Sequence, residues 1–272
     1  MTVWDEGTIG GLKTGNRFVH TATGEGLCTE KGEATPRLLE RYRSLGRSGA
    51  VGLIVTGHMF VEKAGRMRPG QTGIHDDTLI RGLARVARAA RQDGSKIFAQ
   101  LAHGGIMTIR SVTGGEALGP SKITVNGSDD NRAMSLSEIH ALIEHFAEAA
   151  KRAQEAGFDG VQLHAAHGYG LSQFLSPYFN RREDEFGGSV ENRTRIVTQI
   201  LHRIQDVAGK DFPVTVKMNS MDFIPGGLGL EEAIQSAELL EKAGATGLEV
   251  SGGGAMAGAA SGPMRPVNPK TL

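Results

Sequence analysis

One layout recurs three times along this chain and restricts what it can become. Ser48-Gly49-Ala50-Val51-Gly52-Leu53-Ile54-Val55, Ala156-Gly157-Phe158-Asp159-Gly160-Val161-Gln162-Leu163 and Ala243-Gly244-Ala245-Thr246-Gly247-Leu248-Glu249-Val250 share it. Each reads as a helix end, a glycine turn, a second glycine and an apolar strand. Glycine provides the backbone angles that such tight junctions need. The chain carries 39 glycines, spread along its length where apolar runs begin or end and not gathered in one tract.

Other short apolar runs are Lys96-Ile97-Phe98-Ala99-Gln100-Leu101 and Pro213-Val214-Thr215-Val216-Lys217-Met218, with an earlier candidate at Arg17-Phe18-Val19-His20-Thr21. Most have the length and β-branched content of buried parallel strands. Helical periodicity fills the intervals. Thr35-Pro36 opens one helix, Asp77 begins another, and Ser135 with Glu138 forms a capping-box pattern. Ser189 opens a fourth helix, and the last runs from about Leu230 to Ala243. Repeated strand–helix alternation predicts an α/β fold with a parallel sheet, closed or doubly wound.

Two features favour the closed (β/α)8, or TIM, barrel. No G-x-G-x-x-G fingerprint follows the first strand, where an open dinucleotide fold carries one. Polar residues also gather after several different strands, at Thr23, Gln100–His103, His164–Tyr169 and Lys217–Asn219, and barrels build their sites on those loops. Only about six strand–helix units fit, and each takes roughly thirty residues. The expectation is therefore a barrel truncated after six units over residues 1–253, with 254–272 a flexible loop leading to absent strands seven and eight.

The charge balance narrows the partners. Thirty Lys and Arg match thirty Asp and Glu in 272 residues, so no global charge draws the surface to nucleic acid or an anionic membrane. A small-molecule substrate suits it better, and a homo-oligomer is compatible with it. Cys28 is the sole cysteine, which leaves no intrachain disulfide and no cysteine-cluster metal site. With no leader pattern or long apolar run, a cytoplasmic protein is the expectation.

The most informative segment for chemistry is His164-Ala165-Ala166-His167-Gly168-Tyr169. Two imidazoles on a turn leaving a strand can aim their N–H groups at one small acceptor. A phenol two residues on can deliver a proton nearby, an arrangement suited to enolate-like charge. An H-x-x-H pair also suits zinc, but the H-E-x-x-H helix pattern is missing and no metal is expected. Structural histidines in a packed loop remain the plainer alternative.

Beyond this segment the chain resembles the Old Yellow Enzyme family of FMN-dependent NAD(P)H oxidoreductases, also known as NADH:flavin oxidoreductases, from about Asp5 to Gly253. The likeness runs through Asn16–Thr23, Gly52–Gly57, Gln100–Gly105 and Gly119–Ser121. It continues from His164 through Gln173–Pro177, Asn180, Arg182, Asp184, Phe186–Ser189 and Glu191–Arg193, and closes at Glu249–Gly253. The resemblance implies an ene-reductase that passes hydride from NAD(P)H, through flavin N5, to an α,β-unsaturated carbonyl compound. It implies that His164 and His167 bind the substrate carbonyl and that Tyr169 donates the proton. Ala22, Thr23, His58, Gln100, His164 and Lys217 would contact FMN.

The sequence also departs from the family. Lys217 stands where relatives usually have Arg, Ile106 replaces a common Arg, and Gly24 takes a place often held by Thr, Cys or an aromatic residue. Arg182, Asp184, Asn192 and Arg193 read as scaffold, Cys28 as a bystander, Met107 and Met134 as loop residues. His140, His145 and His202 read as helix residues without partners. Two functions fit this pattern: the ene-reductase, and a non-catalytic truncated flavoprotein barrel serving as a binding or scaffold remnant.

Overall fold

A computed structural model describes residues 1–124 and 129–254 of the chain. The loop expected over 254–272 lies outside the described residues, apart from Gly254. The main sheet has seven parallel strands, and six of them form its main path: β1 (Val19–His20), β2 (Leu53–Val55), β3 (Lys96–Ala102), β4 (Gly160–Ala165), β5 (Val214–Asn219) and β6 (Gly247–Ser251). The seventh, Met59–Phe60, pairs with β3 off that path. Along the path each strand pairs with the next, in the order β6-β5-β4-β3-β2-β1. A doubly wound sheet reverses direction at a switch point. This sheet never does, which is the strand order of a barrel.

Helices pack on its outer face: α1 (Pro36–Gly46), α2 (Ile80–Ala90), α3 (Leu136–Glu155), α4 (Val190–Ala208) and α5 (Leu230–Lys242). Their starts follow from the sequence. Thr35 caps α1 with Pro36 in its first turn, Ser189 caps α4, and Ser135 and Glu138 form the full reciprocal box on α3. Asp77 begins a short 3-10 turn over Asp77–Leu79, and α2 proper starts three residues later. Outward strand residues Ile54, Ile97, Ala99, Leu101, Val161, Leu163, Val214 and Val216 meet Leu83, Ile143, Phe146, Ile196 and Ile200 in one core. Each large apolar side chain buried there contributes about 1.5–3 kcal/mol. Along β6, Leu248 and Val250 are exposed, with no strand beyond them among the described residues.

Inward residues fill the barrel in layers. At the bottom, Phe98, Leu53 and Val55 pack with Ile9, Leu12 and Ala22. Phe98 explains the glycine that starts β4: a Cβ at Gly160 would lie 2.6 Å from its ring. Ile9 and Leu12 belong to an antiparallel hairpin, Gly7–Ile9 with Leu12–Thr14, that sequence periodicity did not reveal. Its turn residues Gly10 and Gly11 both have positive φ, as a two-residue hairpin turn requires.

Two smaller expectations are corrected. Met134 is not an ordinary loop residue but is buried in the main core. His145 does have a partner, with Nδ1 3.3 Å from a Glu62 carboxylate oxygen. The scaffold expectation for Arg182 and Arg193 agrees with their contacts. Arg182 holds Asp184 and the Pro120 and Met134 carbonyls, while Arg193 reaches Leu175, Gly188 and Glu232. No described helix is long and apolar enough to cross a membrane.

Candidate active site

Strand register stacks the polar residues inside the barrel. Gln100 on β3 lies beside Gln162 on β4, and two residues further on His164, Lys217 and Glu249 share one layer across β4, β5 and β6. All lie toward the C-terminal ends, so their side chains meet beneath the loops that follow. Gln100 Nε2 donates to Gln162 Oε1 at 2.7 Å, and Gln162 Nε2 donates to Glu249 Oε2 at 2.9 Å. Glu249 Oε1 lies 2.8 Å from Lys217 Nζ. Four strands are thus joined by one chain of polar contacts across the barrel.

The loop after β4 carries the histidine pair. His164 and His167 have ring centroids 5.2 Å apart, and Tyr169 lies 5.2 Å from His164. His167 takes a left-handed backbone with φ 64°, uncommon outside glycine. Three contacts stabilise that conformation. Its backbone N–H donates to Asn219 Oδ1 at 3.1 Å, its Nε2 lies 2.7 Å from Ser251 Oγ, and its backbone bridges to Gly254. His164 is buried, and its Nδ1 has no hydrogen-bond partner. The Tyr169 hydroxyl makes no hydrogen bond to any described residue.

Burial, and then the positive surroundings of His167, His58 and Lys217, keep His164 well below the usual imidazole range. Burial and then Lys217 bring His167 down to about 4, against an opposing pull from Glu249. Both rings are therefore neutral at pH 7. A neutral imidazole still has one N–H to donate, so the pair can hold an acceptor without protonating it.

The expected flavin-side residues fall in two groups. Gln100, His164 and Lys217 come together in the barrel as described. Ala22 packs against Leu53, Val55 and Phe98, while Thr23 is exposed, with its hydroxyl 3.4 Å from the Thr21 carbonyl. His58 comes from the loop after β2, its ring 6.3 Å from His164 and 6.2 Å from Tyr169. Its tautomer can be derived. Gln71 Oε1 accepts from the Met67 N–H, so Gln71 Nε2 is the end 2.9 Å from His58 Nδ1. Nδ1 is then an acceptor and the proton sits on Nε2. Burial, reinforced by Arg68, pushes this ring down to about 4. His103, in contrast, turns away from the site: Nδ1 accepts from the Gly105 N–H and Nε2 faces Glu62 at 3.0 Å.

Several members of the site had no role assigned from sequence. Gln162 and Glu249 were read only as strand residues, although Gln162 lies two residues before His164 and must share its face. Glu249, beside apolar Leu248 and Val250 in alternation, carried the same signal. Asn219, Ser251 and Arg68 act through loop geometry, which no periodicity encodes.

Comparison with known proteins agrees with this geometry. The model of the NADH:flavin oxidoreductase / NADH oxidase family matches residues 8–266. An NADH oxidase of Thermoanaerobacter brockii is 37% identical over 254 residues, which cover 92% of this chain and 39% of that protein. An NADPH dehydrogenase of Geobacillus thermodenitrificans is 34% identical, over 90% of this chain and 71% of its own length. The solved Old Yellow Enzyme homologue of Zymomonas mobilis superposes with a TM-score of 0.87 at 29% identity, covering 98% of this chain and 77% of that one. The chain thus spans about two fifths of the NADH oxidase that it matches. Six strands in barrel order, a polar layer at their ends and a match across nearly the whole chain agree: this chain belongs to the NADH:flavin oxidoreductase / NADH oxidase family, that of Old Yellow Enzyme, whose cofactors are FMN and NADH or NADPH.

Proposed function

We propose that this chain forms the substrate-binding part of an FMN-dependent oxidoreductase that takes hydride from NADH or NADPH and reduces the alkene of an α,β-unsaturated carbonyl compound. The observation that carries this is the cluster of His164, His167 and Tyr169: two neutral imidazoles and an uncommitted phenol converging on one space. The residues present fit a flavin. Lys217 uses one of its three N–H donors on Glu249, Gln100 keeps its Oε1 free of the contact to Gln162, and His164 Nδ1 is buried without a partner. Gln100, His164 and Lys217 would hold the isoalloxazine edge, with Ala22, Thr23 and His58 beside it. FMN, when bound, supplies the hydride chemistry, accepting from the nicotinamide and delivering to the substrate.

The chain's own groups then have distinct tasks. His164 and His167 donate hydrogen bonds to the substrate carbonyl oxygen, where negative charge grows as hydride reaches the β-carbon. Tyr169 gives its hydroxyl proton to the α-carbon, and hydride plus proton balance the saturated product. Lys217, held by Glu249, places a fixed positive charge beneath the histidines.

The test has two stages. Purified protein should bind FMN near one per chain; a folded protein that stays colourless with added FMN refutes the proposal. Tyr169→Phe should slow alkene reduction by roughly 10²–10⁴-fold, the usual worth of a positioned acid, while flavin reduction by NAD(P)H stays intact. Equal loss in both half-reactions overturns the proton-donor role. His164→Ala should weaken binding of enone ligands, and unchanged affinity counts against the carbonyl clamp.

A further inference from the structure

Resting on that proposal, we infer that Arg68 is an anion-binding residue of the same pocket, and that the substrate is an unsaturated carbonyl compound that also carries a carboxylate. Arg68 belongs to the loop that follows β2, and its guanidinium is turned inward. A Cβ built on Gly24 would lie 1.8 Å from Arg68 Nη2 and 2.8 Å from its Cζ, so the guanidinium fills the space that a side chain at position 24 would take. The same point is 3.0 Å from His58 Nε2, the nitrogen that carries the proton in the tautomer derived above. Arg68 Nη2 and His58 Nε2 are therefore neighbours packed beside Gly24.

The guanidinium has no counter-ion among the described residues. Its Nε is buried without a hydrogen-bond partner, and no described carboxylate makes an ion pair with it. The partly buried acids are committed elsewhere. Glu25 accepts from the Tyr42 hydroxyl and the Gly57 N–H, Glu62 faces His103 and His145, and Glu249 holds Lys217 and Gln162. A half-buried cation with open donors in a fork is the usual receptor for a planar carboxylate.

His58 links Arg68 to the chemistry. His58 stands 6.3 Å from His164 and 6.2 Å from Tyr169, centroid to centroid. With Arg68 beside His58, a carboxylate on Arg68 and a carbonyl oxygen on the histidine pair would be the two ends of one short molecule. A phosphate of the nicotinamide cofactor is the other source of an anion at this guanidinium, and the test separates the two.

The probes are 4-oxopent-2-enoate, its methyl ester, and their saturated counterparts 4-oxopentanoate and methyl 4-oxopentanoate as unreactive ligands. In the FMN-loaded protein, Arg68→Met should raise KM for the acid and the calorimetric Kd of 4-oxopentanoate about tenfold or more, the scale of a charge-assisted hydrogen bond. The esters should be unaffected in both measurements, which also shows that the variant is folded. Arg68→Lys should recover part of the loss. NAD(P)H affinity in the reductive half-reaction should not change. If acid and ester are weakened alike, or neither is, or only NAD(P)H is affected, the inference is overturned. A wild-type protein that reduces neither acid nor ester refutes the reductase proposal itself, and the ligand affinities still decide on Arg68.

Discussion

Removing Glu249 tests whether the polar chain across the barrel is one coupled unit. The Lys217 side chain is only 9% exposed and that of Glu249 23%, with 2.8 Å between their charged atoms. At that separation Coulomb attraction amounts to about 6 kcal/mol with an effective dielectric constant near 20. Most of it offsets the desolvation of the two ions, so the net worth of the pair is small. Breaking it is different, because Glu249→Leu leaves a buried ammonium uncompensated and the Gln162 amide without its acceptor. Buried pairs cost about 3–5 kcal/mol to break in this way. The partial exposure of Glu249 reduces that to about 2–3 kcal/mol, or roughly 4–6 °C in Tm for a domain of this size. Lys217→Met alone strands Glu249 less severely, since water reaches the carboxylate. The double variant should recover most of the loss, with a coupling near 2 kcal/mol. Thermal and urea unfolding of the four flavin-stripped proteins measures the cycle without ligand linkage. Additivity within about 0.5 kcal/mol would refute the coupled pair.

Two further outcomes follow from the structure. His58, His164 and His167 all have lowered values, so between pH 6.5 and about 4 the unfolded chain binds protons that the folded one refuses. Stability is then full above pH 6.5 and is lost as pH falls toward 4; urea midpoints at pH 7 and pH 5 check this, and a higher midpoint at pH 5 contradicts it. Ser135→Ala removes the hydroxyl that caps α3 and should cost about 1 kcal/mol in urea unfolding, whereas an unchanged midpoint would mean that the Glu138 contacts carry the cap alone.

Much of this architecture was legible because local rules and the global fold agree. The Gly-x-x-Gly-apolar layout marked β2, β4 and β6, and three cap residues marked helix starts, since both depend on neighbours in sequence. The His164–Tyr169 cluster was legible for the same reason: its three groups lie on one turn. Partners supplied by distant strands were not. That Glu249 meets Lys217 depends on a register between β5 and β6 that only packing sets. The commitment of Gln100 to Gln162 likewise needs β3 and β4 side by side. The Gly7–Thr14 hairpin was missed because its two strands are three residues each, too short to show alternation.

The electrostatic character of the site follows from what the fold leaves charged. Three imidazoles sit within about one ring's reach of each other, yet burial and the two cations, Lys217 and Arg68, keep them neutral. Glu249 is the carboxylate in the polar layer, and Lys217 already neutralises it. Among the described residues of the site, what remains is Arg68 without a counter-ion and a set of neutral donors around Tyr169. Such a surface does little for a neutral ground state and much for one that gains negative charge, because preorganised donors need no reorganisation as the charge develops. Were the histidines protonated, the same pocket would hold several like charges and would bind an anion nonselectively. Their neutrality would separate the two proposed tasks: Arg68 would hold an anion that is already there, while His164 and His167 would respond to the one that the proposed reaction makes.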